Sequence, residues 1–510
     1  MQPDEFRRLG HQLIDWIAAY RAGIEALPVM AQVEPGAIKA RFPAEPPRRA
    51  ESLDGLFAEL DRMIVPGLSH WQHPRFFGYF PANAPLESVL GDFLSTGLGQ
   101  LGLSWQSSPA LTELEEVVTD WFRQMTGLSS AWSGVIGDTA SSGTLVALIC
   151  ARERASGFSL AGSGLQAEPR PLTVYGSDQS HSSVEKAALL AGLGRGNVRA
   201  IATDAAHAIR PDALAAAIRA DLERGARPAA IVATAGTTAT VAFDPLAEIA
   251  AIAAEHGIWL HVDATMAGSA MILPECRPLW AGVEGADSLV VNPHKWLGDA
   301  FDCSLYYVRD PEHLMRVMGT NPSFLQSSVD GRVKNLRDWG IPLGRRFRAL
   351  KLWLLIRANG VEGLQTRLRR DLDNARWLAD EVAATPDWRV LAPVQLQTVC
   401  LRHEPPRLAG DALDRHNLDW CDRINRSGFA YLTPATLDGR WMVRVSIGAV
   451  PTERAHVAAL WTRVQAEADA AIADGQRAGG KPSPSAAAAS LGDDQPAKRS
   501  RSDGAPEAPS

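Results

Sequence analysis

Val290-Val291-Asn292-Pro293-His294-Lys295-Trp296-Leu297-Gly298 decides the fold of this chain. The residues leading into it, Ser288-Leu289-Val290-Val291, are apolar and largely β-branched and predict a buried strand. A lysine at the end of a buried strand is expensive, because an ammonium taken out of water without a partner loses its solvation. Chemistry has a use for one there. A desolvated ε-amine gives up its proton readily and condenses with an aldehyde to form a Schiff base. The plainer alternative is a lysine that snorkels to solvent or pairs with a carboxylate.

Three companion runs bear on the choice. In Gly257-Ile258-Trp259-Leu260-His261-Val262-Asp263-Ala264 a second strand, Ile258–Val262, ends on Asp263. A carboxylate at a strand's C-terminal end lies where α/β folds place their ligand crevice. If the aldehyde is pyridoxal phosphate (PLP), its ring nitrogen needs such an anion to stay protonated and accept electrons. The alternative is an aspartate that caps the next helix. Asp263 precedes Lys295 by about one helix-containing crossover. In Leu172 to Glu185 a strand, a polar turn with His181 and a helix start with Ser182 or Ser183 as N-cap follow one another. An imidazole there can stack on a flat cofactor and carry protons, or merely close the turn. In Val135 to Thr144 a loop of small residues enters the apolar helix Leu145–Ala151. Free backbone N–H groups and the positive helix end suit a phosphate, and the absence of a following Gly-Lys-Ser/Thr excludes a P-loop. A phosphate site, a stacking histidine, a ring-nitrogen aspartate and a Schiff-base lysine, in that order, describe a PLP enzyme.

With these runs in place the chain resembles the aromatic-L-amino-acid decarboxylases, the group II PLP-dependent decarboxylases of fold type I. The likeness spans about residues 1–470. It rests on Val33-Glu34-Pro35-Gly36, His70-Trp71, Tyr79-Phe80-Pro81, Ser104-Trp105, Ser107-Ser108-Pro109-Ala110, His181-Ser182-Ser183-Val184-Glu185, Gly236-Thr237-Thr238, His261-Val262-Asp263-Ala264, Asn292-Pro293-His294-Lys295-Trp296 and Pro342-Leu343-Gly344-Arg345-Arg346. The resemblance implies an α/β PLP-dependent transferase fold of type I, with a mainly parallel seven-stranded sheet. It implies that Lys295 holds PLP, Asp263 pairs with the pyridine nitrogen and His181 stacks on the ring. Ala140, Ser141, Asn292 and His294 would surround the phosphate, with Thr238 and Thr265 beside the ring. Trp71, Tyr79, Phe80, Pro81 and Trp105 would wall the aromatic side chain of the substrate, and Leu101 and Leu103 would reach in from a partner subunit of a homodimer.

The chain departs from the family pattern at four places. Leu336 stands where many members carry a loop tyrosine taken to protonate the α-carbon after CO2 leaves; members without it can divert to oxidative deamination. Met266 replaces an aromatic residue of several relatives, Thr265 a smaller alanine and Gly137 a common glutamine. The expected activity is decarboxylation of aromatic L-amino acids. The rivals are an aldehyde-forming oxidative variant and a non-catalytic PLP-binding protein. The lack of a Gly-x-Gly-x-x-Gly after a strand counts against a Rossmann dehydrogenase.

The 510 residues carry a formal net charge of −7, which argues against general nucleic-acid binding. Cys150, Cys276, Cys303, Cys400 and Cys421 are scattered without metal-ligand spacing and read as free thiols of a reducing compartment. The polar N-terminus is unlike a signal peptide and no apolar run is long enough to span a membrane, so the expected location is cytoplasmic. Residues 1–85 predict helices, with Phe6, Leu9, Leu13, Trp16, Ile17 and Tyr20 on one face and Ser52 capping a second helix ended by Pro66. Residues 86–365 alternate strands and helices and predict a parallel sheet covered on both faces. The segment Ser323–Trp339 reads as a lid. Residues 366–475 predict a smaller α/β unit that opens on a helix Leu364–Ala384 and contains the strands Leu396–Arg402 and Trp441–Ile447. Arg444, inside the latter, is suited to pairing with a carboxylate. Residues 476–510 turn to Gly, Pro, Ser and Ala and predict disorder.

Overall fold

The computed structural model describes residues 1–320 and 322–477. Two sheets organise them. The larger has seven strands: β1 (Ser133–Gly137), β2 (Leu172–Ser177), β3 (Val198–Ile201), β4 (Arg227–Thr234), β5 (Trp259–Asp263), β6 (Ser288–Val291) and β7 (Ser304–Val308), in the order β1-β7-β6-β5-β4-β2-β3. β7 runs antiparallel to both its neighbours, β1 and β6, while β6, β5, β4, β2 and β3 pair in parallel. β1, β2, β4, β5 and β6 therefore end at the same edge. That edge is where an α/β sheet presents a crevice. The near-continuous apolar runs follow from burial on both faces: Leu289, Val290 and Val291 are wholly buried, and each such side chain contributes roughly 1.5–3 kcal/mol.

Helices cover the sheet. Ala140–Ala155 packs against β4 and β5, and Leu86–Leu98 packs against Ala349–Ala384. The second pair touches at Gly91, where an added Cβ would lie 2.4 Å from the Lys351 Cα, so only glycine permits the approach. Ala349–Ala384 bends at Gly360 (φ 62°, ψ 169°). The sequence reading began this helix at Leu364 because the half before Gly360 is a separate straight segment.

The smaller sheet is antiparallel, in the order β10-β11-β9-β8, with β8 Trp388–Val390, β9 Thr398–His403, β10 Thr433–Leu437 and β11 Arg440–Ser446. Two helices, Gly410–Arg426 and Arg454–Arg477, belong to its core. The expected strands Leu396–Arg402 and Trp441–Ile447 are present with shifted ends. The short edge strands β8 and β10, like β1 and β3, escaped the sequence reading, which saw no long apolar run there. The last helix reaches Arg477, past the expected boundary at 476. The remainder of the expected tail lies outside the described residues.

The N-terminal helix Pro3–Ala22 forms as expected, with proline in its first turn and Asp4 and Glu5 at its positive end. The second helix is Leu56–Met63, and its N-cap is Gly55. Ser52 is not the cap, because its hydroxyl exchanges hydrogen bonds with the Asp54 side chain and backbone and closes the preceding turn. Residues 69–83 then thread between the two sheets. The Phe77 N–H donates to the Tyr431 carbonyl and the Ser446 N–H to the Phe77 carbonyl, so Phe77 joins the core of the small sheet. This crossing brings Tyr79, Phe80, Pro81 and Asn83 to the edge where the parallel strands end.

Candidate active site

Lys295 lies in the tight turn Pro293–Leu297 that follows β6, with backbone angles (φ −99°, ψ −111°) that are not helical. Its Nζ stands 5.2 Å from the Phe80 ring centroid. Burial lowers the ammonium pKa to about 8; Asp263 pulls it back up and Arg444 pushes it further down. The residue keeps some accessible surface, so the amine is both desolvated and reachable.

Asp263, last residue of β5, is buried. Its Oδ1 accepts the Thr265 backbone N–H at 3.0 Å and the Thr265 hydroxyl. Thr265 in turn accepts the Asn292 N–H, which ties the loop after β5 to the lysine turn. His181 follows β2. Its Nδ1 accepts the Ser183 backbone N–H at 3.2 Å and lies 2.8 Å from the Ser183 hydroxyl. Ser182 stands at the N-cap of the helix Ser183–Leu190, as expected, but its side chain makes no cap bond; the imidazole accepts the first N–H instead. With Nδ1 accepting, Nε2 carries the proton. Surrounding atoms push this pKa below the usual histidine value, with Asp263 opposing and Lys295 adding to the effect. Asp263 is therefore near enough to act on both Lys295 and His181, and Lys295 on His181.

Ala140 and Ser141 open the helix Ala140–Ala155. The N–H groups of Ala140, Ser141 and Ser142 have no acceptor within the helix, and the positive helix end favours an anion. His294 accepts the Cys303 N–H on Nδ1 at 2.9 Å, leaving its Nε2–H to donate. Burial drives its pKa to about 4, so the ring is neutral. The buried Asn292 Oδ1 has no hydrogen-bond partner. A helix end with free donors, a neutral imidazole N–H, a fixed carboxylate and a desolvated amine make a set that fits PLP at its phosphate, ring nitrogen and aldehyde, while the unpartnered Asn292 Oδ1 can only accept a hydrogen bond there.

Beside this set is an aromatic ledge. Trp71 stacks on Phe76 at 4.4 Å and on Tyr79 at 5.6 Å, and the Tyr79 and Tyr431 hydroxyls are 3.0 Å apart. Phe80 and Pro81 are buried, whereas Tyr79 is 50% and Trp71 37% exposed. Tyr79, Thr238, Tyr431, Thr433 and Arg444 line a cavity of about 500 Å³. Arg444 is buried at its inner side. Its Nε donates to the Ala239 carbonyl and Nη1 to the Tyr79 carbonyl, its guanidinium lies 4.9 Å from the Phe80 centroid, and Nη2 is buried without a partner. Arginine among Met442, Val443 and Val445 on a buried strand was the available sequence signal. Tyr431, on the far side of the small sheet's turn, gave none.

Leu101, Leu103 and Trp105 are not brought to Lys295 within the chain. An added Cβ on Gly344 would lie 3.1 Å from Leu101 and 3.9 Å from Leu103. The Trp105 N–H donates to the Asn335 side chain, and its indole donates to Glu113. Leu336 is wholly buried in the large core, and the neighbouring Lys334 donates to the Gly134 carbonyl at 2.6 Å.

Residues 35–404 match the family model described as the pyridoxal-dependent decarboxylase conserved domain. Tryptophan decarboxylase 2 of Oryza sativa subsp. japonica is 40% identical over 92% of this chain and 95% of its own length. Phenylacetaldehyde synthase of Arabidopsis thaliana is also 40% identical, over 92% and 96%. The crystal structure of Oryza sativa TDC with PLP and tryptamine superposes with a TM-score of 0.89 at 36% identity, covering 92% of this chain and 99% of that one. The fold, the donor set and these likenesses agree that the chain belongs to the pyridoxal-dependent decarboxylases, in their aromatic-amino-acid, group II branch.

Proposed function

We propose that this chain decarboxylates aromatic L-amino acids to the arylalkylamine and CO2, with PLP held on Lys295. The observation that carries the reading is the desolvated Lys295 amine, 5.2 Å from the Phe80 ring centroid and within electrostatic reach of Asp263. When bound, PLP supplies an electron sink for the pair left at the α-carbon as the carboxylate departs as CO2. The protein does the rest. Lys295 offers a neutral amine at a pH where an exposed lysine has almost none. Asp263, fixed by two bonds from Thr265, would pair with the ring nitrogen and would need no reorganisation to do so. His181, held by Ser183 through Nδ1, would stack on the ring and leave its Nε2–H free to carry a proton. The free Nη2 of Arg444 takes the substrate carboxylate in a charge-assisted bond and so orients the bond to be broken. Phe80, Pro81, Tyr79 and Trp71 bury the substrate ring and exclude water. The Tyr79–Tyr431 hydroxyl pair offers a polar contact to a phenol, catechol or indole N–H, so Dopa, 5-hydroxytryptophan, tryptophan, tyrosine and phenylalanine form the substrate class.

The division into a helical segment (1–85), a PLP-binding unit (86–365), a small C-terminal unit (366–475) and a tail (476–510) belongs to this reading, as does a homodimer. Leu86, Leu90, Phe93, Leu94 and Leu98 are exposed along one helix, an apolar stripe that asks for a covering surface. Leu101, Leu103 and Trp105 follow directly, which carries them toward the site of a partner subunit. Five buried, unpaired cysteines suit a reducing cytoplasm. Among the described residues no helix is long and apolar enough to cross a membrane.

A second reading, oxidative deamination to an aryl acetaldehyde, is favoured by Leu336, which has no hydroxyl to give a proton. The deciding experiment supplies purified, PLP-loaded protein with aromatic L-amino acids in air and follows CO2, amine, aldehyde, ammonia and peroxide. Amine equal to CO2 supports the decarboxylase, aldehyde with ammonia supports the oxidative branch, and no CO2 from any substrate refutes both.

A further inference from the structure

The backbone around Lys295 is held from outside its own sheet by two buried connections, and both end on the same loop. The first is Asn83, almost wholly buried. Its Nδ2 donates to the Lys295 carbonyl at 3.2 Å and to the Gly448 carbonyl at 3.0 Å, while its Oδ1 accepts the Val450 N–H at 2.8 Å. The second is Asp371, on the far half of the bent helix Ala349–Ala384 and also wholly buried. Its Oδ2 accepts the Trp296 indole N–H at 3.0 Å. Its neighbour Arg367 donates through Nη2 to the carbonyls of Trp296 and Leu297 at 2.7 and 2.6 Å. Arg370 lies 3.4 Å from Asp371 and donates to the Val450 carbonyl at 2.8 Å and to Glu453 at 2.6 Å. Gly298, which ends the lysine turn at φ +96°, lets Arg367 and Val450 approach: an added Cβ would be 3.3 Å from the guanidinium and 3.6 Å from the valine.

We propose that Asn83 and Asp371 are positioning residues for Lys295, and that they do this by clamping its turn to residues 448–453 of the small-sheet unit. The inference rests on the assignment of Lys295 as the PLP-bearing amine and deepens it. The first part of the turn after β6 is tied to the large-sheet unit, through Asn292 to Thr265 and His294 to Cys303, and Gly298 and Asp299 close back on Pro293; the Lys295, Trp296 and Leu297 carbonyls reach outside it. Three of its carbonyls and its one indole are engaged by the clamp. Loosening it lets Nζ shift relative to the Phe80 ring and to Asp263 and Arg444, the two charges that act on its proton affinity beside burial. A displacement of about 1 Å in such a group is enough to slow a reaction by roughly 100-fold.

The test uses full-length, PLP-reconstituted wild type, Asp371→Asn and Asn83→Ser. Asparagine keeps the shape of Asp371 and removes its charge; serine keeps a small polar group and withdraws the reach to Lys295. For each protein the pH midpoint of the lysine-linked cofactor's visible absorbance is measured, together with kcat and KM. The expected result is a midpoint moved by half a pH unit or more, with kcat lowered about tenfold and KM changed less than twofold. A merely structural role leaves the midpoint where it was. Gel filtration and circular dichroism establish folding, and if Asp371→Asn fails to fold, the milder Asn83→Ser decides. Variants with wild-type midpoint and kcat overturn the clamp alone. A wild type without the visible band overturns the functional reading and this inference with it.

Discussion

Burial at Lys295 makes a quantitative prediction about how the apoprotein captures PLP. Only the neutral amine attacks an aldehyde, so the capture rate follows its fraction. With a pKa of about 8, about 9% of Lys295 is neutral at pH 7, against about 0.03% for an unperturbed lysine, an advantage of about 300-fold or roughly 3 kcal/mol. Stopped-flow mixing of apoprotein with PLP should give a rate that climbs about tenfold from pH 6 to 7, about fivefold from 7 to 8 and less than twofold above that. Two substitutions separate the causes. Burial is the largest, and neither change removes it. Arg444→Met takes away a cation that disfavours the ammonium, so the midpoint should rise; Asp263→Asn takes away an anion that favours it, so the midpoint should fall. A wild-type rate still rising about eightfold between pH 9 and 10, as an unperturbed lysine would give, would falsify the claim that the site desolvates this amine. Shifts of the same sign in the two variants would refute the assignment of Asp263 and Arg444 as the charges that act on it.

Four further outcomes are expected. Lys295→Ala should abolish turnover with an unchanged circular dichroism spectrum, and an active variant removes Lys295 from the chemistry. Asp263→Asn should retain PLP but lower kcat roughly 100-fold or more, since a preorganised charge at the ring is lost; near-normal turnover assigns that task elsewhere. Leu336→Tyr should raise the ratio of amine to aldehyde among the products, and an unchanged ratio frees this position of control over the outcome. Glu115→Ala should destabilise the fold by about 3 kcal/mol in urea unfolding, because Glu115 accepts the buried Arg345 guanidinium at 2.5 Å and the Ile136 N–H at 2.8 Å; a loss below about 1 kcal/mol means that Arg345 finds another partner.

The parallel strands were legible because burial on both faces writes an unbroken apolar run, as in Leu289-Val290-Val291. Their crossovers bring residues at the strand ends together, so reading each end was enough to collect His181, Asp263 and Lys295. Caps were less legible. Ser52 and Ser182 have the right side chains, but the hydroxyl of one closes an earlier turn and the other, though at the N-cap position, leaves the cap bond to the Nδ1 of His181, a competition decided by geometry and not by residue type. The small antiparallel sheet was visible only where its strands are fully buried, as β9 is; β8 and β10 have exposed or half-exposed residues and carry no comparable run.

What the sequence left hidden in the site follows one rule: a residue that serves Lys295 through the backbone of another segment has no local pattern to betray it. Asn83 looks like a loop asparagine and Asp371 like one charge of a polar helix. Each becomes legible only when residues 69–83, the bent helix and the 448–453 loop converge on the lysine turn. The same rule explains Arg444, which was noticed because a charged side chain breaks an apolar strand but which had no partner in sequence. The proposed site thus draws on both sheets: the large one would supply the amine, the carboxylate and the helix end for an anion, and the small one the guanidinium and the fixed point of the proposed clamp. A change in the small unit that left every PLP-facing residue intact would still reach the reaction through Val450 and Glu453, because those residues anchor the connections that end on the Lys295, Trp296 and Leu297 backbone.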